Sequence, residues 1–159
     1  MTITITINPD SINKLDLSPA QMVIDKLLQS KSTIFTQEKT LSFTIDYPRD
    51  IEDPRELSEI PEIRLWFIRL DARYPWLPLI LDWKTGELAR YIAMLVPHQF
   101  HRTDGIQYNP EALEIFLMHK IFVLVDWLNQ QGIPSQEKVK SMAKMLGYEL
   151  DDGFFDLIN

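Results

Sequence analysis

Three histidines and a scatter of carboxylates are the side chains in this 159-residue chain best suited to acid-base or metal chemistry. His98 and His101 stand three residues apart, Asp104 three further on, and His119 can be reached in a folded chain. Imidazole and carboxylate donors of this kind could hold a divalent metal, which would make the chain a small metal-dependent enzyme working through a His98/His101 loop. The spacing fits poorly with helical zinc motifs, whose paired histidines are four apart on one face, so a structural or solvent-exposed role suits both rings better. His119 and Asp126 form a second conceivable acid-base pair. Seven helical residues, however, separate such side chains by about 10 Å, so each is expected to find a local polar partner instead.

Other chemistry is excluded more firmly. The chain has no cysteine, which removes disulfides, catalytic thiols, thiolate zinc sites and thiolate-held iron-sulfur clusters. There is no glycine-rich phosphate loop, no nucleophile elbow and no paired-carboxylate motif, and only five glycines are available to build one. No resident cofactor is expected. A net charge of -7 opposes nucleic-acid binding, and the helix-turn-helix look of Ser135 to Tyr148 is offset by the acids that follow it. No apolar run is long enough to span a membrane.

Recognition is the better supported theme. Between Arg69 and Tyr91 tryptophan, tyrosine, arginine and aspartate are dense and interleaved with Pro75 and Pro78. Aromatics and arginines anchor protein interfaces, and proline-limited turns hold large side chains rigidly, so that little entropy is lost on binding. Trp76, Trp83, Arg73 and Arg90, joined by the loop from His98 to Asn109, are therefore the expected contact patch. The competing reading places Trp76 and Trp83 in the core, with Asp71, Asp82, Glu87, Arg73 and Arg90 satisfying one another. Charge is also local: residues 46–59 hold six acids and two arginines, and the residues after Gly147 hold four acids and no base. Each segment reads either as solvated chain or as an electrostatic docking surface.

The elements that must position these residues follow from periodicity. Met1 to Ile7 alternates threonine and isoleucine, the pattern of a half-buried strand. Ser18-Pro19 is expected to cap a helix over 19–29. The stretch 33–47 alternates again, with Gln37-Glu38-Lys39 as a hairpin turn, and 78–82 is a third strand candidate. Helices are expected from Ile63 to Tyr74, from Leu88 to Leu95, over 110–131 behind the Asn109-Pro110 cap, and from Ser135 to Leu146. The 110–131 helix carries apolar residues almost all round and should be central. This is an α+β single domain over 1–159, with a small sheet covered by four or five helices. Early acids at Asp10 and Asp16, with no arginine before Arg49, oppose a signal or transit peptide and point to the cytoplasm.

Three runs carry a family resemblance: DARYPWLPLILDW from Asp71 to Trp83, GELARYIAMLVPHQF from Gly86 to Phe100, and GIQYNPEALEIF from Gly105 to Phe116. With Val125 to Leu128, they make residues 63–131 resemble the chlororespiratory reduction 6 family of cyanobacteria and plant plastids. The resemblance implies a non-catalytic assembly factor for the photosynthetic NAD(P)H dehydrogenase-like complex, with the ferredoxin-like iron-sulfur subunit I as its partner. It also implies residence in the cyanobacterial cytoplasm or the plastid stroma. Polar and aromatic residues inside the matching runs are the expected partner contacts: Arg73, Trp76, Asp82, Trp83, Arg90, His98, Gln99, Phe100, Tyr108 and Asn109.

Overall fold

In the computed structural model, which describes residues 1–29, 40–134 and 136–158, the threonine-isoleucine alternation becomes strand β1 (Thr2–Ile7). Its neighbour β2 (Thr40–Ile45) runs parallel to it, with Ile5 opposite Phe43 and Ile7 opposite Ile45. Parallel strands need a crossover, which passes through α1 (Pro9–Asn13) and α2 (Ser18–Leu28), the latter packed on β1. Ile5, Ile7, Leu41 and Phe43 point into the core. The opposite face carries a polar ladder, Thr2 to Thr40 at 3.1 Å and Thr4 to Ser42 at 3.0 Å between side-chain oxygens. The expected strand over 33–39 and its turn lie outside the described residues. Leu77–Ile80 is a 3-10 turn, and only Leu81 reaches the sheet, through a single parallel bridge to Leu41. The proposed strand at 78–82 is thus corrected to a turn: Pro78 brings no amide hydrogen to a ladder.

Proline sits in the first turn of α1, of α2 and of the helices that begin at Pro61 and Pro110, and just past the helix ends at Arg73 and Leu95. α3 (Pro61–Arg73) ends where Tyr74 leaves the helical region ahead of Pro75, and α4 (Glu87–Leu95) ends at Val96, ahead of Pro97. α5 (Pro110–Gln130) is the longest helix and α6 (Gln136–Met145) follows the Gly132 turn. The cap of α2 differs from expectation. Ser18 already occupies a helical position, and the Asp16 carboxylate takes its amide hydrogen at 3.0 Å. α5 starts as expected, with Asn109 Oδ1 accepting from the Ala112 amide at 3.0 Å. Asn109→Ala should cost roughly 1 kcal/mol in a thermal or urea melt, because that amide then has no partner in the helix.

Aromatic packing ties these layers together. Phe67 of α3 sits edge-on to Phe43 at 5.2 Å, Trp66 at 5.0 Å and Tyr91 at 5.9 Å between ring centroids. The buried Trp66 donates its indole hydrogen to Asp16 O at 2.8 Å. The expectation that α5 is central is corrected: it covers this core from one side with Leu113, Leu117, Ile121, Leu124, Val125 and Leu128, while Ile115 and Phe122 on its other face are exposed. The acidic tail is more than solvated chain. It forms α7 (Asp152–Ile158), held by Phe155, which is 1% exposed. Among the described residues no helix is long and apolar enough to cross a membrane.

Candidate functional site: a groove beneath a β-hairpin

The stretch from His98 to Asn109, expected as a loop, is instead a hairpin of β3 (His98–His101) and β4 (Gly105–Tyr108). Residues 102–104 make the turn, and Gly105 takes the left-handed backbone at φ 75° that such a three-residue connection requires. Its polar, charged sequence concealed it, although Thr-Asp-Gly was a usable turn signal. Register then decides which side chains share a face. His98 faces Tyr108 and Phe100 faces Ile106 across the strands, so these four share one face, while Gln99, Gln107 and His101 occupy the other.

The inner face of the hairpin is anchored at two points. Tyr108 donates its hydroxyl hydrogen to Ala89 O at 2.8 Å, and burial pushes that phenol up to about 12, so it stays a donor throughout the physiological range. His98 lies between two partners, Nδ1 at 2.9 Å from Val96 O and Nε2 at 2.9 Å from Ser58 Oγ. A carbonyl only accepts, so Nδ1 carries the hydrogen and, in the neutral ring, Nε2 accepts from the serine. The Ser58 end belongs to the 3-10 turn Leu57–Glu59, whose capping box joins Glu56 and Glu59 through each other's backbone amides.

Between hairpin, turn and α4 a groove of about 390 Å³ remains open. Leu57, Ala89, Met94, Phe100 and Ile106 make it apolar, with Glu56 and Arg90 also lining it. Phe100 is 44% exposed, a large apolar ring left facing solvent at the groove. Arg90 is less free than its position suggests. It donates Nη2 to Phe43 O at 2.6 Å and lies 3.6 Å from Glu87, clamping the sheet to α4. Burial raises the Glu87 carboxyl more than Arg90 lowers it. The acids from Asp46 to Glu59 run into the turn beside the groove. Within them, Arg55 grips Asp53 through Nε at 3.0 Å and Nη2 at 2.8 Å and holds its carboxyl at about 2, so that charge persists at any working pH.

The metal reading loses its geometry here. His98 and His101 project from opposite faces of β3, and both His98 nitrogens are already engaged. The exposed His101 turns to Thr103 Oγ1 at 2.9 Å and Asp104 at 3.3 Å. Asp126 accepts from the Gln130 side chain at 2.9 Å, and His119 is exposed. Among the described residues no three His, Asp or Glu side chains converge on a metal-sized point.

The ten expected contacts therefore separate. Arg90 and Phe100 line the groove, His98 and Tyr108 tie the hairpin to Ser58 and Ala89 at its edge, Asn109 caps α5, and Gln99 faces away on the outer side of the hairpin. Trp76 belongs to the core, 4% exposed and stacked on Trp127 at 4.8 Å and 11°. Asp82 is buried and accepts the Thr2 hydroxyl at 2.8 Å. Trp83 is half-buried, donates to Pro78 O at 2.8 Å and carries the Lys138 ammonium 4.9 Å above its ring, beside a separate cavity of about 310 Å³. Arg73 is elsewhere again, 3.3 Å from the Tyr74 hydroxyl, which donates to Asp25. The single patch expected from Arg73, Trp76, Trp83 and Arg90 does not form, because the segment threads through the core between its prolines. Sequence reasoning also missed Leu57 and Ser58, which reach the groove only through contacts distant in sequence.

A family model described as Chlororespiratory reduction 6 matches residues 7–157. No solved structure matches the chain.

Proposed function

Because the chain belongs to the chlororespiratory reduction 6 family, we propose that it is an assembly factor that holds the ferredoxin-like iron-sulfur subunit I of the photosynthetic NAD(P)H dehydrogenase-like complex, with the groove beneath the β3–β4 hairpin as its grip. The family is associated with chlororespiratory reduction and with assembly of that complex. The observation that supports this reading is the open apolar groove with Phe100 exposed at it. Concave apolar surface with a few fixed polar groups is what recognition requires, and a chaperoning role calls for no catalytic constellation. A chain with no cysteine can shelter a cluster-carrying partner without competing for its iron.

A pull-down from thylakoid-containing lysate tests the reading, with the parent protein as bait and the Phe100→Ala form beside it. Subunit I should be retained by the parent and depleted on the variant. Its absence from the folded parent bait sinks the proposal.

The acids beside the groove lead to a second expectation. They attract a partner face that is positive, which raises the association rate in a salt-dependent way. Asp50→Lys with Glu52→Lys leaves the Asp53–Arg55 clamp intact and should slow association by roughly threefold to tenfold at about 50 mM salt. The difference should fade towards about 300 mM, as the Debye length falls to roughly 6 Å. Stopped-flow or biosensor association rates decide it, and a parent rate indifferent to salt removes the steering role.

A further inference from the structure

We propose that the outward faces of α5 and α7 form a second docking surface, shaped for a cationic amphipathic segment of a protein partner. This surface shares no residue with the hairpin groove and stands independently of the function proposed for it.

Helix α5 leaves an apolar stripe outside the core. Ile115 and Phe122 are 65% and 48% exposed, with the partly buried Met118 between them on the same face. α7 extends the stripe sideways. Phe154 lies 6.1 Å from Phe122 between ring centroids, and Leu157, one turn further along α7, is 85% exposed. The short helix is fastened to the protein. Phe155 plugs the core, Asp152 accepts from Gln136 at 2.6 Å and Lys140 at 2.9 Å, and Asp151 caps the Phe154 amide at 2.9 Å. A contiguous exposed apolar patch held in place in this way marks an interaction surface.

The charges around the patch specify the occupant. Glu111, Glu114 and Asp126 on α5 and Asp156 on α7 are exposed, with Asp151 just before α7. The only lysine or arginine on either helix is Lys120, and it is buried, with its ammonium 2.8 Å from Asp71. The exposed charges that α5 and α7 themselves carry are thus all acidic, and the Lys140 ammonium of α6 is spent on Asp152. Against a second copy of this chain the acids would face acids, and against an anionic lipid surface they would face phosphates. Both encounters are repulsive. A helix with apolar residues at i, i+3, i+4 and i+7, flanked by lysine or arginine, satisfies both the stripe and its border.

The probe for this surface is a fluorescent peptide of roughly 18 residues, five helical turns, with leucine on one face and lysine on the other. Two matched peptides accompany it, one with glutamate for every lysine and one with the same leucines and lysines distributed all round. Anisotropy should show binding of the first, and the amides of α5 and α7 should shift in NMR spectra. The Ile115→Ser/Leu157→Ser protein keeps every charge and alters only side chains that bury little, and should bind at least roughly tenfold more weakly. Glu114→Lys/Asp156→Lys should weaken binding to a similar degree. The proposal is overturned if the all-round peptide binds as well as the amphipathic one, or if the serine variant binds like the parent, since simple charge attraction would then account for the result. It is equally overturned if the parent sediments as a dimer that the serine variant dissolves, or if the parent floats with anionic vesicles.

Discussion

Lys120→Met should lower stability by about 3–5 kcal/mol at neutral pH, the largest loss expected from a single charged residue in this protein. The ammonium of Lys120 is saturated by three oxygens, both carboxylate oxygens of Asp71 at 2.8 Å and Pro75 O at 3.0 Å, and Tyr91 donates its hydroxyl hydrogen to the same carboxylate at 3.3 Å. Methionine preserves much of the lysine stem, so the chief loss is the charge, which leaves the Asp71 carboxylate buried opposite no cation. In a chain of this size the melting temperature should fall by roughly 10 °C or more.

The pH dependence identifies the cause. Burial holds the Asp71 carboxyl above its ordinary range, and Lys120 pulls it back only in part. A carboxyl raised in the native state binds its proton more tightly there than in the unfolded chain. Its contribution to stability is therefore full in acid and is lost as pH rises through the native value. Without Lys120 the native value climbs further. The variant's deficit should be widest near about pH 7 and narrow towards about pH 4, as the carboxyl left without its cation takes up a proton. Asp71→Leu combined with Lys120→Met should recover part of the loss, because an apolar pair replaces the ion pair while the Tyr91 hydroxyl loses its acceptor. Urea melts at the two pH values check this. A single-variant deficit below about 1 kcal/mol, or one that is the same at both pH values, shows that the pair is not a stabilising unit.

Phe100→Ala should accelerate dissociation from the partner roughly 30-fold to 100-fold while leaving the association rate within about threefold of the parent. This corresponds to about 2–3 kcal/mol at a central anchor. Phe100 is a credible anchor because it is large, half exposed and backed by Ile106 and Met94 in the groove. Its removal should cost little folding stability. Trp83→Phe serves as the contrast. Trp83 lines a separate cavity, and its variant should leave dissociation unchanged. If Trp83→Phe speeds release while Phe100→Ala does not, the partner grips the face near Lys138 and the groove has been misassigned. Biosensor dissociation rates with purified subunit I separate the two.

Much of the helical framework is legible in the amino-acid sequence. The Asn109-Pro110 pair marks the start of α5 and the apolar spacing of Ile63, Trp66, Phe67 and Leu70 marks α3, because helix periodicity and first-turn proline are properties of a few adjacent residues. The alternation in β1 and β2 was equally plain, and so was the α+β class. The hairpin, the parallel pairing of β1 with β2 and the docking of α7 were not. Each depends on what covers a segment, and local pattern does not record that.

The candidate site shows the same division. Composition and segment charge set out the materials from the start: no cysteine, a net charge of -7, two acidic stretches, and aromatics dense between Arg69 and Tyr91. Tertiary contacts sorted those aromatics. Trp76 went inward because Trp127, on α5, offers it a flat ring to stack on. His98 became a strut because Ser58, forty residues earlier, meets its Nε2. Lys120 could be buried because Asp71 and Pro75 arrive from the end of α3 to satisfy its charge. Residue type determines what a side chain needs, and only the folded chain decides which distant group supplies it and which side chains, such as Phe100, are left facing water.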